Sequence, residues 1–104
     1  MKEADWKIFK EIKEKALGSF CENAFSEFTE IIENESEHIH DRYLKLYKLV
    51  HEKDKELSDI FDGHSRSKAA FQLLLIRKMG LADKGLLQKI SDEFAEETDP
   101  GRLR

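Results

Sequence analysis

From Trp6 to Ile32 the apolar residues fall almost entirely three or four positions apart: Trp6, Phe9, Ile12, Ala16, Leu17, Phe20, Cys21, Ala24, Phe25, Phe28, Ile31, Ile32. That rhythm is one face of an α-helix, and a stripe this long leaves the first third of the chain no room for another element. Gly18-Ser19 brings in two weak helix formers and a place to bend, yet the stripe keeps its phase across them. The spacing predicts a first helix over 3–33.

Asn34-Glu35-Ser36-Glu37 has no apolar residue and two cap-competent side chains, so one helix stops and the next starts there. Ile39, Tyr43, Leu46, Val50, Leu57 and Ile60 then form a heptad-type seam, with Lys53 standing where an apolar residue is due. This second helix, 36–61, is closed by Asp62-Gly63. A third, 67–79, opens at Ser65 or Ser67 and is apolar nearly all round, Gln72 being its one polar residue between Ala69 and Ile76. Gly80 with Leu81 behind it fits a Schellman ending, and Asp83 caps a fourth helix, 84–97, whose inner face is Leu86, Leu87, Ile90 and Phe94. The chain reads as one all-α domain, a bundle of about four helices over 1–97, with 98–104 as a loose tail.

Composition fits that class. One proline and five glycines among 104 residues are too few turn residues for a sandwich or barrel, and seven Phe in a regular pattern argue against disorder. The single Cys21 has no partner for an internal disulfide or a zinc site, and its place on an apolar stripe reads as a buried structural thiol. The N-terminal MKEADWKIFKEIKEK has no signal-peptide h-region, and the longest apolar run, Leu73–Ile76, is too short to span a bilayer. The expectation is a cytoplasmic protein without a membrane partner.

About thirty helical residues span roughly 45 Å, half as long again as a small domain is wide. Two such rods and two shorter helices do not cover one another within one chain. Either the first helix breaks at Gly18 or the uncovered stripe meets a second copy, and a symmetric homodimer is the expectation. Charge adds to this. Residues 16–41 hold no Lys or Arg but Glu22, Glu27, Glu30, Glu33, Glu35, Glu37 and Asp41, whereas 63–89 hold Arg66, Lys68, Arg77, Lys78, Lys84 and Lys89 against Asp83 alone. Charge runs of this kind usually face solvent, but complementary ones set partner and orientation. The candidate interaction residues are therefore Glu30, Glu33, Tyr43, Leu46, Val50, Arg66, Lys68, Arg77 and Lys78.

Chemistry-bearing motifs are weak. Glu35-x-x-His38 and Glu37-x-x-His40 have the spacing with which di-iron helical bundles hold metal, but those bundles need such a motif from each of two helices. The four residues stand as weak metal candidates beside the plainer reading of solvated side chains at a helix start; with His38 and His40 in a dimer seam, association would respond to pH. The stretch 66–97, with Gly80 at its turn, resembles a helix-turn-helix, but its would-be reading helix carries Asp92, Glu93, Glu96 and Glu97, which phosphates repel. His64 beside Ser65-Arg66-Ser67 lacks an orienting acid, and no phosphate-cradling or hydrolase motif occurs. The sequence thus leads to a non-enzymatic interaction or regulatory module without a cofactor, partnered by itself and open to another protein; a nucleic-acid regulator is the first alternative and a metal-binding bundle the second.

Overall fold

In the computed structural model, which describes residues 1–103, helix α1 runs unbroken over Glu3–Glu33. Glu3 and Asp5 in its first turn complement the helix dipole, since Lys2 at the N-cap offers no side-chain bond. Gly18 does not break it. At 31 residues α1 is roughly 46 Å long and sets the long axis of a molecule measuring 53 × 27 × 23 Å.

The turn after α1 is tied by Asn34, whose Oδ1 accepts from the Ser36 N–H at 3.3 Å and the Ser36 hydroxyl at 2.5 Å. Helix α2, Ile39–Phe61, then returns antiparallel, as three contacts along the pair record. Arg42 Nε donates to the Ile31 carbonyl (3.4 Å), Lys53 pairs with Glu27 (2.8 Å), and Phe61 meets Phe20 edge-on at 5.9 Å between centroids. Gly63, at φ +81°, turns the chain into helix α3, Arg66–Lys78.

Helix α3 ends as its sequence predicts. Gly80 sits at φ +71°, its N–H reaches the Arg77 carbonyl, and the Leu81 N–H reaches that of Ile76, each at 3.0 Å: a Schellman motif with Leu81 folded onto the core. The span expected as one fourth helix comes instead as two short ones, α4 over Lys84–Leu87 and α5 over Asp92–Glu97. Ser91 breaks the run. It adopts extended backbone and caps α5, its Oγ accepting from the Phe94 N–H at 3.2 Å, while Asp83 caps α4 through Leu86 (2.9 Å). The start of the expected tail is held in the fold. Thr98 is fully buried, receives Arg77 Nη1 at 3.0 Å and donates to the Phe94 carbonyl at 2.8 Å, and a 3-10 turn over Pro100–Leu103 packs beside α3. Arg104 lies outside the described residues.

The core occupies one end. From α1 it takes Trp6, Phe9, Ile12, Ala16 and Phe20, from α2 only Ile60 and Phe61, and the remainder from α3, α4, α5 and the segment between the last two. Within α3 the burial runs against residue type, with Gln72 enclosed and Phe71 63% exposed. Not one residue between Phe25 and Asp59 is buried. The fold is a helical core with a two-helix arm projecting from it, and all its described elements are helical.

Candidate interaction surface

On the arm, α1 and α2 meet through half-buried residues: Glu27, Phe28 and Ile31 from one, Arg42, Leu46, Leu49, Lys53 and Leu57 from the other. Lys53, the polar intruder in the heptad seam, lies 6.0 Å above the Phe20 ring and is held by Glu27, whose hydrogen bond raises the ammonium above its ordinary pKa, with Glu56 adding to this. The intruder is thereby neutralised where it stands, and the seam stays closed around it.

Each helix also carries a second apolar row that shares Phe28 or Leu46 with this seam and opens toward solvent. On α1 the row is Cys21, Phe25, Phe28 and Ile32, at steps of four, three and four; Phe25 is 67% exposed and Ile32 51%. On α2 it is Ile39, Tyr43, Leu46, Tyr47 and Val50, with Ile39 at 79% and Tyr43 at 65%. The rows lie on the same side of the arm, because both line the same two grooves. One, about 180 Å³, runs between Cys21, Phe25 and Phe28 on α1 and Val50, Asp54 and Leu57 on α2. The other, about 170 Å³, lies nearer the tip between Ile32 and Ile39, Tyr43 and Leu46. An aromatic side chain presents some 150–250 Å². Three of them two-thirds exposed, with the aliphatics between, make a patch of several hundred Å² on a small protein, the size at which exposed apolar surface marks a contact site.

The residues singled out from sequence divide by end. Tyr43 and Val50 stand exposed in the groove face and Leu46 half-buried at its floor, while Glu30 and Glu33 are exposed on the same arm. The basic residues of α3 do not form the face expected of them. Arg66 is bound to Glu3 at 2.7 Å, holding that carboxyl below its usual range, and stacks 5.3 Å from the Trp6 ring. Arg77 is half-buried and donates to the Ala95 carbonyl (2.7 Å) and to Thr98, so it ties the C-terminus to α3. Lys68 and Lys78 are exposed but ten residues apart, at opposite ends of the helix. The acidic end of α1 finds its intramolecular cations on α2 rather than on α3, as Glu27–Lys53 illustrates. Sequence reasoning missed Tyr47, which falls outside a strict heptad; its spacing of four from Tyr43 was the available signal.

Two other candidates take a definite shape. Around residues 35–40, Glu37 pairs with Lys45 at 2.5 Å and His38 is the N-cap residue of α2; among the described residues no three His, Cys, Asp or Glu side chains converge as a metal ion requires. The reading helix expected over 84–97 is interrupted by residues 88–91, so a continuous rod to lay in a groove is missing from that element. The His64 ring packs on Trp6, 5.0 Å between centroids, while the Ser65 and Ser67 hydroxyls pair with each other at 3.1 Å. Among the described residues every buried side-chain N or O has a partner, and no helix is long and apolar enough to cross a membrane. No family model, curated protein or solved structure matches this chain.

Proposed function

We propose that this protein is a non-enzymatic protein-interaction module whose working surface is the grooved apolar face of the α1–α2 arm. The observation that carries the reading is the coincidence of exposure with periodicity: Phe25, Ile32, Ile39, Tyr43 and Val50 keep core spacing yet lie open to solvent. A helix buries a stripe of that kind against something, because most helical stability in proteins comes from packing an amphipathic face. The core end supports the reading from the other side, since each of its buried polar side-chain atoms already has a partner within the chain.

The test is a photo-crosslinker placed as Tyr47→benzoylphenylalanine in the full chain, activated in the cells that make it. The expected result is one or a few discrete adducts, lost when Phe25→Glu and Ile39→Glu are added and not obtained from a crosslinker at Lys89 on the core end. Absence of any Tyr47 adduct, or adducts indifferent to the two glutamates, overturns the reading.

A further inference from the structure

Resting on that reading, we infer that the occupant of the arm's face is the same face of a second copy, with α1 of each chain laid over α2 of the other and both cores at one end of a four-helix bundle. Three observations lead there.

The first is shape. Each arm presents two apolar rows flanking a groove, one row per helix, with heptad-type steps on both. Half of a four-helix bundle has that outline, with knobs such as Phe25 and Tyr43 matched to grooves of the kind they border. A two-fold axis makes such a surface complementary to itself, and a symmetric pair is the commonest closed assembly. Interfaces of standard size bury about 800 Å² per partner, and the apolar rows contribute several hundred Å² toward that.

The second is charge, and it selects one of two axes. By the 3.6-residue turn, Glu22 and Glu33 fall on the flank of α1 opposite its seam with α2, and Lys48 and Lys55 on the flank of α2 opposite the same seam. Between Ala16 and Asp41 the chain holds no Lys or Arg, and between Arg42 and Val50 no Asp or Glu. An axis running across the arms would set α1 on α1, acid against acid, and α2 on α2. An axis along the arms sets each acidic edge against the partner's basic edge. Counting from the Glu27–Lys53 ion pair, Glu33 stands level with Tyr47 and Lys48, and Glu22 within a turn of Lys55, so the opposite charges also meet at the same height.

The third is clearance. The α1 side chains that anchor α3–α5, Ile12 and Ala16, are fully buried on nearly the opposite side of the helix from Phe25 and Ile32. The cores therefore point away from the joined faces, and both fit at the same end. On α2 the apolar row stops at Val50, with Asp54 one turn further on, which confines close contact to the distal part of the arm.

The experiment is sedimentation equilibrium of the full chain at micromolar concentrations. Wild type is expected at twice the 12.2 kDa of one chain. Phe25→Glu with Tyr43→Glu is expected at one chain mass with unchanged helical circular dichroism, because both residues are exposed within the single chain. Orientation is read from charge reversal. Glu22→Lys/Glu33→Lys and Lys48→Glu/Lys55→Glu should each weaken self-association roughly tenfold or more. Mixed in equal amounts, they should recover a dimer holding one of each, whose two α1–α2 contacts are both complementary again. Wild type at one chain mass throughout sinks the inference; should Tyr47 then crosslink to a protein of another mass, the interaction reading stands and the self-pairing alone falls. Reversed chains that pair with themselves as wild type does, or fail to recover on mixing, overturn the arrangement of α1 over α2.

Discussion

Asp5, in the first turn of α1, grips Ser91, the N-cap of α5, with both carboxylate oxygens: Oδ1 accepts from the Ser91 N–H at 2.8 Å and Oδ2 from its hydroxyl at 2.6 Å. Asp5 is 4% exposed, and its bond spans 86 residues of sequence. Ser91 passes the constraint on, since its Oγ also receives the Phe94 N–H, and Phe94 is core. One acid at the start of the chain thus fixes where the last helix begins.

Replacing Asp5 by Ala removes the acceptor for two half-buried donors, a loss of about 1–3 kcal/mol. For a domain of this size that lowers the melting temperature by several degrees. Asp5→Asn, which keeps an acceptor for the Ser91 N–H, should lose less. A double-mutant cycle with Ser91→Ala should give a coupling of at least ~0.5 kcal/mol by chemical denaturation, and strict additivity would mean the contact contributes nothing to folding.

Gln72 and Phe71 invert their usual places, and the reason is the end of α2. The Gln72 amide donates to the Asp62 and Gly63 carbonyls at 2.8 and 3.1 Å, and Lys13 Nζ donates to the same Gly63 carbonyl (2.7 Å) and to Gln72 Oε1 (3.3 Å). Burial pushes the Lys13 ammonium below its ordinary pKa, with Asp62 opposing the shift. Gln72→Leu, conservative in volume and more apolar, is expected to destabilise by about 1 kcal/mol or more because it takes from the Asp62 carbonyl its side-chain donor and leaves Gly63 to Lys13 alone. Phe71→Gln should stay within about 0.5 kcal/mol as an exposed surface change. Denaturant midpoints of the two variants check this, and equal effects would refute the capping role.

Much of this architecture was legible from spacing. The phase of α1 across Gly18, the turn at Asn34, the end of α2 at Phe61 and the Schellman ending at Gly80 all depend on neighbouring residues, which a single sequence contains. What escaped was set by partners far along the chain. Ser91 looked like an ordinary helix position because its holder, Asp5, is at the other terminus. Thr98 looked like tail because Arg77 and Phe94 enclose it. Gln72 looked like a blemish on an apolar helix, when its task belongs to a different helix altogether. For the arm, the rhythm of Phe25, Ile32 and Tyr43 marked the apolar rows, but which apolar residues a fold leaves uncovered depends on where α3–α5 dock, and no local pattern specifies that. The bonds of the basic residues of α3 were hidden for the same reason, since Arg66 and Arg77 meet Glu3 and Ala95 across the fold.

Gly18 and Gly80 make opposite predictions from the same substitution. Gly18 lies inside α1 with nothing within 4 Å of where a Cβ would stand, so Gly18→Ala gains helix propensity and should stabilise by about 0.5–1 kcal/mol. Gly80 has equally open surroundings but sits at φ +71°. There Gly80→Ala meets the left-handed penalty of about 1–2 kcal/mol and loosens the Schellman turn. Thermal melts of the two variants should move in opposite directions; a shared direction would mean that one of these backbone assignments is wrong.

Asp83 supplies the pH dependence. Its carboxylate accepts the Leu86 N–H at the start of α4, and this bond, ahead of the Lys15 ammonium 3.5 Å away, holds its pKa below the ordinary aspartate value. A group whose folded pKa is depressed favours folding in its ionised form. Its contribution is therefore complete above the ordinary pKa, near 4, and is lost as the pH falls through the lower folded value. Asp83→Asn retains a competent cap but carries no charge at any pH. Above pH ~5 the variant should melt lower than wild type, and the gap should close as the pH is taken below about 4, because only wild type has charge left to lose. Melting curves at paired pH values measure the gap directly. If it stays constant through the acid range, the Asp83 charge takes no part in holding α4, and the cap works through its hydrogen bond alone.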